Sequence, residues 1–151
     1  MHLRITGPLT DDAWARRRRA ERLVFDLLDG ELESAWTVPL PSSPHLLRLV
    51  DAIRRDPGTD WTVPTAARHA GISERTLRRQ FAAETGMGFA QWRRRHRIHA
   101  AIALLVDGAT VAGAARQLGY RSSSAFTHAY REVVGLAPVE HIRRLHAPAG
   151  R

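Results

Sequence analysis

One short pattern occurs twice in this chain, and few folds accommodate it. Ala66-Ala67-Arg68-His69-Ala70-Gly71-Ile72 aligns with Ala114-Ala115-Arg116-Gln117-Leu118-Gly119-Tyr120, 48 residues later. Beyond the glycine, Leu77, Phe81 and Gly86 align with Phe126, Tyr130 and Gly135 at a separation of 49, so the second turn carries one added residue. Self-similarity at such a period marks one supersecondary unit used twice. Between the copies runs a helical pattern over about residues 89–106, ending at Asp107-Gly108. The simplest account is all-α: two helix–turn–helix units on one long joining helix. No stretch alternates in a way that needs a sheet.

Each copy holds what such a unit requires. Two helices that approach closely need a small residue on the first, supplied by Ala67 and Ala115. The turn needs a backbone tolerant of positive φ, supplied by Gly71 and Gly119. Ser73 is placed to cap the second helix of the first unit, and Ser122 or Ser123 that of the second. These signals predict helices over 63–70, 74–85, 89–106, 111–118 and 123–134, and a last one from Pro138 through Leu145. Upstream, Leu46, Leu47, Leu49, Val50 and Ile53 give a further amphipathic helix that stops before Asp56-Pro57-Gly58. Phe81, Phe89, Trp92, Phe126 and Tyr130 read as core residues, not as platforms for stacked bases.

Charge is distributed unevenly. Every basic residue apart from histidine is arginine, and the formal charge is +8. Residues 1–44 hold six arginines and seven acids, whereas residues 45–151 hold seventeen and eight. A positive field confined to the repeat-bearing part points to a polyanion, nucleic acid before a membrane surface. In such a unit the second helix enters a DNA major groove. The outward residues there are Arg75, Arg78 and Arg79 in the first copy, and Ser123, Ser124, Thr127 and His128 in the second. Arginine pairs bidentately with guanine, while the shorter side chains of the second copy predict looser reading. Ser73, Thr110 and Ser122 mark helix N-termini suited to phosphates, and Arg93, Arg94 and Arg97 on the joining helix either suit the DNA backbone or form a merely solvated face. At roughly 1.5 Å per residue the joining helix spans about 27 Å, close to the roughly 34 Å turn of duplex DNA.

Other classes of function find little material. There is no cysteine, which removes disulfides, thiolate zinc sites and cysteine nucleophiles. Acids in the second part are scattered, Ser122–Ser124 lacks a His/Asp arrangement, and His96 and His99 have no third ligand nearby, so neither enzyme, metal nor cofactor is expected. The beginning of the chain shows no apolar segment of a signal peptide, and no run approaches the roughly 20 residues that span a bilayer, which predicts a cytoplasmic, nucleoid-associated protein with no membrane partner. The competing reading is a module that binds a protein partner, such as RNA polymerase, with only nonspecific DNA affinity.

Residues 45–145 resemble the two-unit DNA-binding domain of the AraC/XylS family of transcriptional regulators. The resemblance rests on Gly71-Ile72-Ser73-Glu74-Arg75-Thr76-Leu77-Arg78-Arg79-Gln80-Phe81 with Glu84-Thr85-Gly86, and on Phe89, Trp92, Arg97, Ile98 and Ala101. In the second unit it rests on Gly119, Tyr120, Ser122, Ser124 and Phe126, and on Tyr130, Arg131, Gly135 and Pro138. It implies a sequence-specific transcription factor for double-stranded DNA, with the family's base-facing positions falling on the seven outward residues named above. His128 stands where many relatives carry arginine, and His141 where an aromatic is common. Family members usually carry a separate sensing domain, for which 44 residues are too few. Residues 1–44 read as an arm and linker: Thr10, Asp11 and Asp12 open a helix, Gly30 stops it, and Trp14, Leu23, Val24, Leu27 and Leu28 share one side. Arg16–Arg19 fall on its solvated side. That arm, over residues 10–32, either pairs two chains or packs on its own domain. Pro39-Leu40-Pro41-Ser42-Ser43-Pro44 reads as the boundary and residues 146–151 as a flexible tail.

Overall fold

Pro44 stands at the point where an apolar stripe begins, and proline is preorganised for a first helical turn because its missing N–H has no partner there in any case. The computed structural model describes residues 38–146; the expectations for the arm helix, for Arg16–Arg19, for pairing through residues 10–32 and for the tail beyond His146 lie outside them. Helix α1, Pro44–Arg55, buries Leu46, Leu49, Val50 and Ile53. These four recur at the spacing of one helical face; Leu47, one step off it, is exposed.

Helix α2, Val63–Ala70, and helix α3, Glu74–Thr85, form the first unit's pair. The Thr62 hydroxyl accepts from the Thr65 N–H, and the Ser73 hydroxyl from the Thr76 N–H, so each helix begins at its own cap. Between them Gly71 takes φ 69°, a left-handed conformation that costs an L side chain about 1–2 kcal/mol. Ala66 and Ala67 are buried where the helices meet. Leu77 and Phe81 point inward, and Phe81 meets Phe89 and Trp92 edge-on at 5.2 and 5.4 Å.

The last two aromatics belong to α4, Phe89–Val106, an 18-residue helix that serves both halves. Its first turns complete the core around Phe81, while Ile98, Ala100, Ala101, Ile102, Ala103 and Leu105 are buried farther along. It packs on α3 and also on the three helices that follow. These are α5, Val111–Gln117, α6, Ser123–Val134, and α7, Pro138–His146. Thr110 caps α5 through the Gly113 N–H, and Ser122 caps α6 through the Ala125 N–H. Gly119 turns the chain at φ 73°, matching Gly71. Phe126 and Tyr130 fill the second core, where the Tyr130 hydroxyl meets His141 Nδ1 at 2.7 Å. Burial is the main reason the Tyr130 phenol has a raised pKa and His141 a lowered one.

The described residues are therefore all-α, with seven helices and no strand. The segment read as a linker is seated on the first unit. The Pro39 carbonyl accepts from Trp92 Nε1 at 2.7 Å, and Glu84 at the end of α3 accepts the N–H groups of Ser42 and Ser43, both at 2.8 Å. Both serine hydroxyls also reach this carboxylate. Ser43 makes no cap bond of its own to α1; the Glu84 carboxylate binds its N–H and hydroxyl instead. These bonds, the Ser43 hydroxyl foremost, hold the Glu84 carboxyl down at about 2. No helix among the described residues is long and apolar enough to cross a membrane.

Candidate nucleic-acid interface

Helix α3 turns Leu77 and Phe81 inward and leaves an opposite face outward. Arg75, Arg78 and Arg79 are all exposed there. Arg78 pairs with Glu74 one turn back at 3.0 Å, in an exposed ion pair worth only about 0.3–0.5 kcal/mol, which a DNA partner would readily replace. From α1, His45 Nε2 lies 2.9 Å from Gln80 Oε1 and steadies the far side of this helix.

The equivalent face of α6 carries exposed Ser123, Ser124 and His128, with Thr127 half-buried. The side chain of His128 lies 3.6 Å from Glu132 on the next turn. Glu132 also pairs with Arg94 of α4, so one carboxylate gathers a joining-helix cation and the exposed imidazole of α6. The sequence reading missed Glu132; its only signal was the i, i+4 spacing from His128.

The residues expected at phosphates divide into two kinds. Ser73, Thr110 and Ser122 are helix caps, their hydroxyls 3.1, 3.0 and 3.1 Å from backbone N–H groups. Any phosphate placed there would rely chiefly on the first-turn N–H groups that the hydroxyl does not occupy. Arg93, Arg94 and Arg97 already have partners within the protein. Arg93 Nη1 meets Asp60 Oδ1 at 3.1 Å and also donates to the Trp61 carbonyl. Arg97 donates to the Pro57 and Thr59 carbonyls at 3.2 and 3.3 Å, with its guanidinium 5.5 Å above the Tyr120 ring. Burial is the first cause that lowers its pKa. Arg93 and Arg97 are one turn apart and thus face the same loop, whereas Arg94 faces α6. Phosphate contact by any of the three would compete with, or add to, these bonds.

His96, half-buried, stacks on Trp92 at 5.1 Å. Burial, with Arg95 as the lesser cause, lowers His99 to about 4. Among the described residues no three His, Asp or Glu side chains gather as a metal ion would need. What α3 and α6 offer instead is two exposed faces on capped helices, one rich in guanidinium and one in hydroxyl and imidazole. Both suit the hydrogen-bonding edges of base pairs.

Comparison with known proteins agrees with this geometry. A family model described as "Helix-turn-helix domain" matches residues 66–144. The HTH-type transcriptional regulator NimR of Escherichia coli is 32% identical over 136 residues, covering 90% of this chain and 50% of NimR. The HTH-type transcriptional regulator RipA of Corynebacterium glutamicum is 30% identical over 102 residues, covering 68% of this chain and 31% of RipA. The chain thus spans half or less of the length of these relatives. Among solved structures, the DNA-binding domain of the global transcriptional factor AdpA, in complex with a target DNA, superimposes with a TM-score of 0.64 at 28% identity, covering 72% of this chain and all of that domain. The C-terminal domain of AraT, a response regulator from Geobacillus stearothermophilus, shares the fold with a TM-score of 0.62 at 24% identity, over 71% of this chain and 89% of that one. With its repeated unit, its joining helix and a family match over residues 66–144, the chain belongs to the AraC/XylS type of helix-turn-helix DNA-binding transcriptional regulators.

Proposed function

We propose that this chain regulates transcription by reading double-stranded DNA with α3 and α6 in successive major grooves. The observation that carries the reading is the repeat in three dimensions: two capped helices, each with an exposed polar face, attached to one 18-residue helix. AdpA's domain, similar in fold and crystallised on a target DNA, supports it. Arg75, Arg78 and Arg79 read bases in the first groove, with guanine as the natural partner of arginine. Ser123, Ser124, Thr127 and His128 read the second groove more permissively. The helix starts at Ser73, Thr110 and Ser122 receive phosphates, and Arg93, Arg94 and Arg97 supply positive charge beside them.

In this reading residues 45–145 are the DNA-binding domain, and residues 1–44 are an arm that packs on its own domain, pairs two chains, or is the remnant of a sensing domain. Pairing through residues 10–32 and contact with RNA polymerase belong to the same proposal, as does action at the nucleoid in a bacterial cytoplasm. Selection of binding sites from random duplex DNA at one fixed salt concentration tests it. The expected result is an enriched site with two elements about 10 base pairs apart. Enrichment of one short element would confine reading to one unit. Binding without enrichment, fading steeply with salt, would overturn sequence-specific reading and favour a module that engages a protein partner.

A further inference from the structure

The loop between α1 and α2 belongs to the first unit and the α5–α6 turn to the second, yet their backbones touch. A Cβ on Gly58 would lie 2.5 Å from the Gln117 carbonyl oxygen, and one on Gly119 would lie 2.3 Å from the Gly58 carbonyl oxygen. Gly58 is not among the glycines with positive φ, so its neighbour, not its own backbone, excludes a side chain there. Arg97 crosses the same seam. It leaves the joining helix, donates to carbonyls on both sides of Gly58, and lays its guanidinium over Tyr120, the residue after Gly119. A forked planar cation makes all three contacts; a point charge does not. Arg93 fastens the end of the same loop through Asp60 and the Trp61 carbonyl.

We propose that this seam, Gly58 against Gly119 with Arg97 through it, sets the placement of α6 relative to α3 and thereby the spacing of DNA elements the protein accepts. The proposal rests on reading by two helices. Two units tied only by α4 are free to twist about its axis and to flex at its ends. A second attachment far from that axis removes this freedom, and half-site spacing follows from the geometry that remains. Arg97 and the two glycines are then positioning residues, and the charge of Arg97 matters less than its shape.

Two variants of the full chain test this. Arg97→Lys keeps the charge and loses the fork, and Gly58→Ala pushes on the seam alone; far-UV circular dichroism establishes that each is folded. Binding is measured to duplexes carrying the selected elements at their preferred spacing and one base pair nearer or farther. The unaltered protein is expected to discriminate by about tenfold and each variant by less than about threefold, with the affinity of Gly58→Ala for the first element alone within about twofold. Because the chain lacks cysteine, spin labels at Ala83→Cys on α3 and Arg131→Cys on α6 report the distance between the units without DNA. One narrow distribution is expected, broadened or displaced in both variants. A distribution unchanged in both variants would overturn the proposal. So would full spacing discrimination in Arg97→Lys combined with an Arg97→Ala that weakens every sequence equally and lowers the salt slope by about 1, the mark of a phosphate contact. If the unaltered protein selects no two-element site, reading by two helices fails, and the label distances still decide whether the seam holds the units.

Discussion

Gly71 and Gly119 occupy the same position in the two units, and both sit in left-handed backbone, at φ 69° and 73°. Their surroundings differ. Beyond Gly71 and its two chain neighbours, nothing among the described residues lies within 4 Å of a Cβ built there, whereas a Cβ on Gly119 meets the Gly58 carbonyl oxygen at 2.3 Å and its carbon at 3.2 Å. Alanine at either site pays the left-handed penalty, roughly 1–2 kcal/mol. Only Gly119→Ala adds a collision, and with backbone that cannot rotate aside; forced overpacking of this kind adds about 1–3 kcal/mol. Gly71→Ala is therefore expected to lose about 1–2 kcal/mol and Gly119→Ala about 2–5 kcal/mol. Domains have in total about 5–15 kcal/mol, so the second loss is a large fraction. Urea unfolding followed by far-UV circular dichroism at neutral pH compares the two directly, since the repeat makes each glycine a control for the other. Equal losses would refute the argument that the seam, not the turn, separates these positions. A larger loss at Gly71 would refute the geometry itself.

Arg79→Ala is expected to lower affinity by about 1–3 kcal/mol and to relax preference at one or two base positions; competition with singly substituted duplexes at constant salt checks this, and a uniform loss across sequences would assign Arg79 to the DNA backbone. Glu84 is held at about 2 against an ordinary 4.5, so its contribution to stability is complete above pH 4.5 and is withdrawn as the pH falls from 4.5 toward 2. Glu84→Gln should lower stability at neutral pH and flatten that part of the pH profile, measured as urea midpoints; an unchanged profile would show that the carboxylate does not hold Ser42 and Ser43. Tyr130→Phe removes the buried hydroxyl that meets His141 Nδ1 at 2.7 Å and is expected to destabilise by about 1–3 kcal/mol, whereas an unchanged midpoint would mean that the pair contributes nothing.

Local signals determined the helices. Ser73 and Ser122 cap α3 and α6 where the sequence places them, and Gly86 and Gly135 end those helices at φ 73° and 80°. The last turns were less legible: α5 ends at Gln117 instead of 118, and α7 reaches His146, one residue beyond Leu145. Hydrophobic periodicity also selected the core, with the exception of Leu47, where a run of apolar residues hid which four share a face. The proline-rich composition of residues 39–44 correctly excludes a helix up to Ser43, and says nothing of the docking of that segment by Trp92 and Glu84.

The repeat, found by aligning stretches 48 residues apart, and the outward faces of α3 and α6, apart from half-buried Thr127, are thus legible in the sequence alone, because a helix face follows from residues within a turn or two of one another. Tertiary structure alone decided where the arginines of α4 go. Their spacing separates Arg93 and Arg97 from Arg94, but their partners are the loop carbonyls of Pro57, Thr59 and Trp61 on one side and Glu132 on the other. Every residue carries a carbonyl, so a carbonyl partner leaves no mark in the sequence. The approach of Gly58 to Gly119 is hidden for a related reason: a glycine required by a distant backbone looks, in one dimension, the same as a glycine required by its own turn.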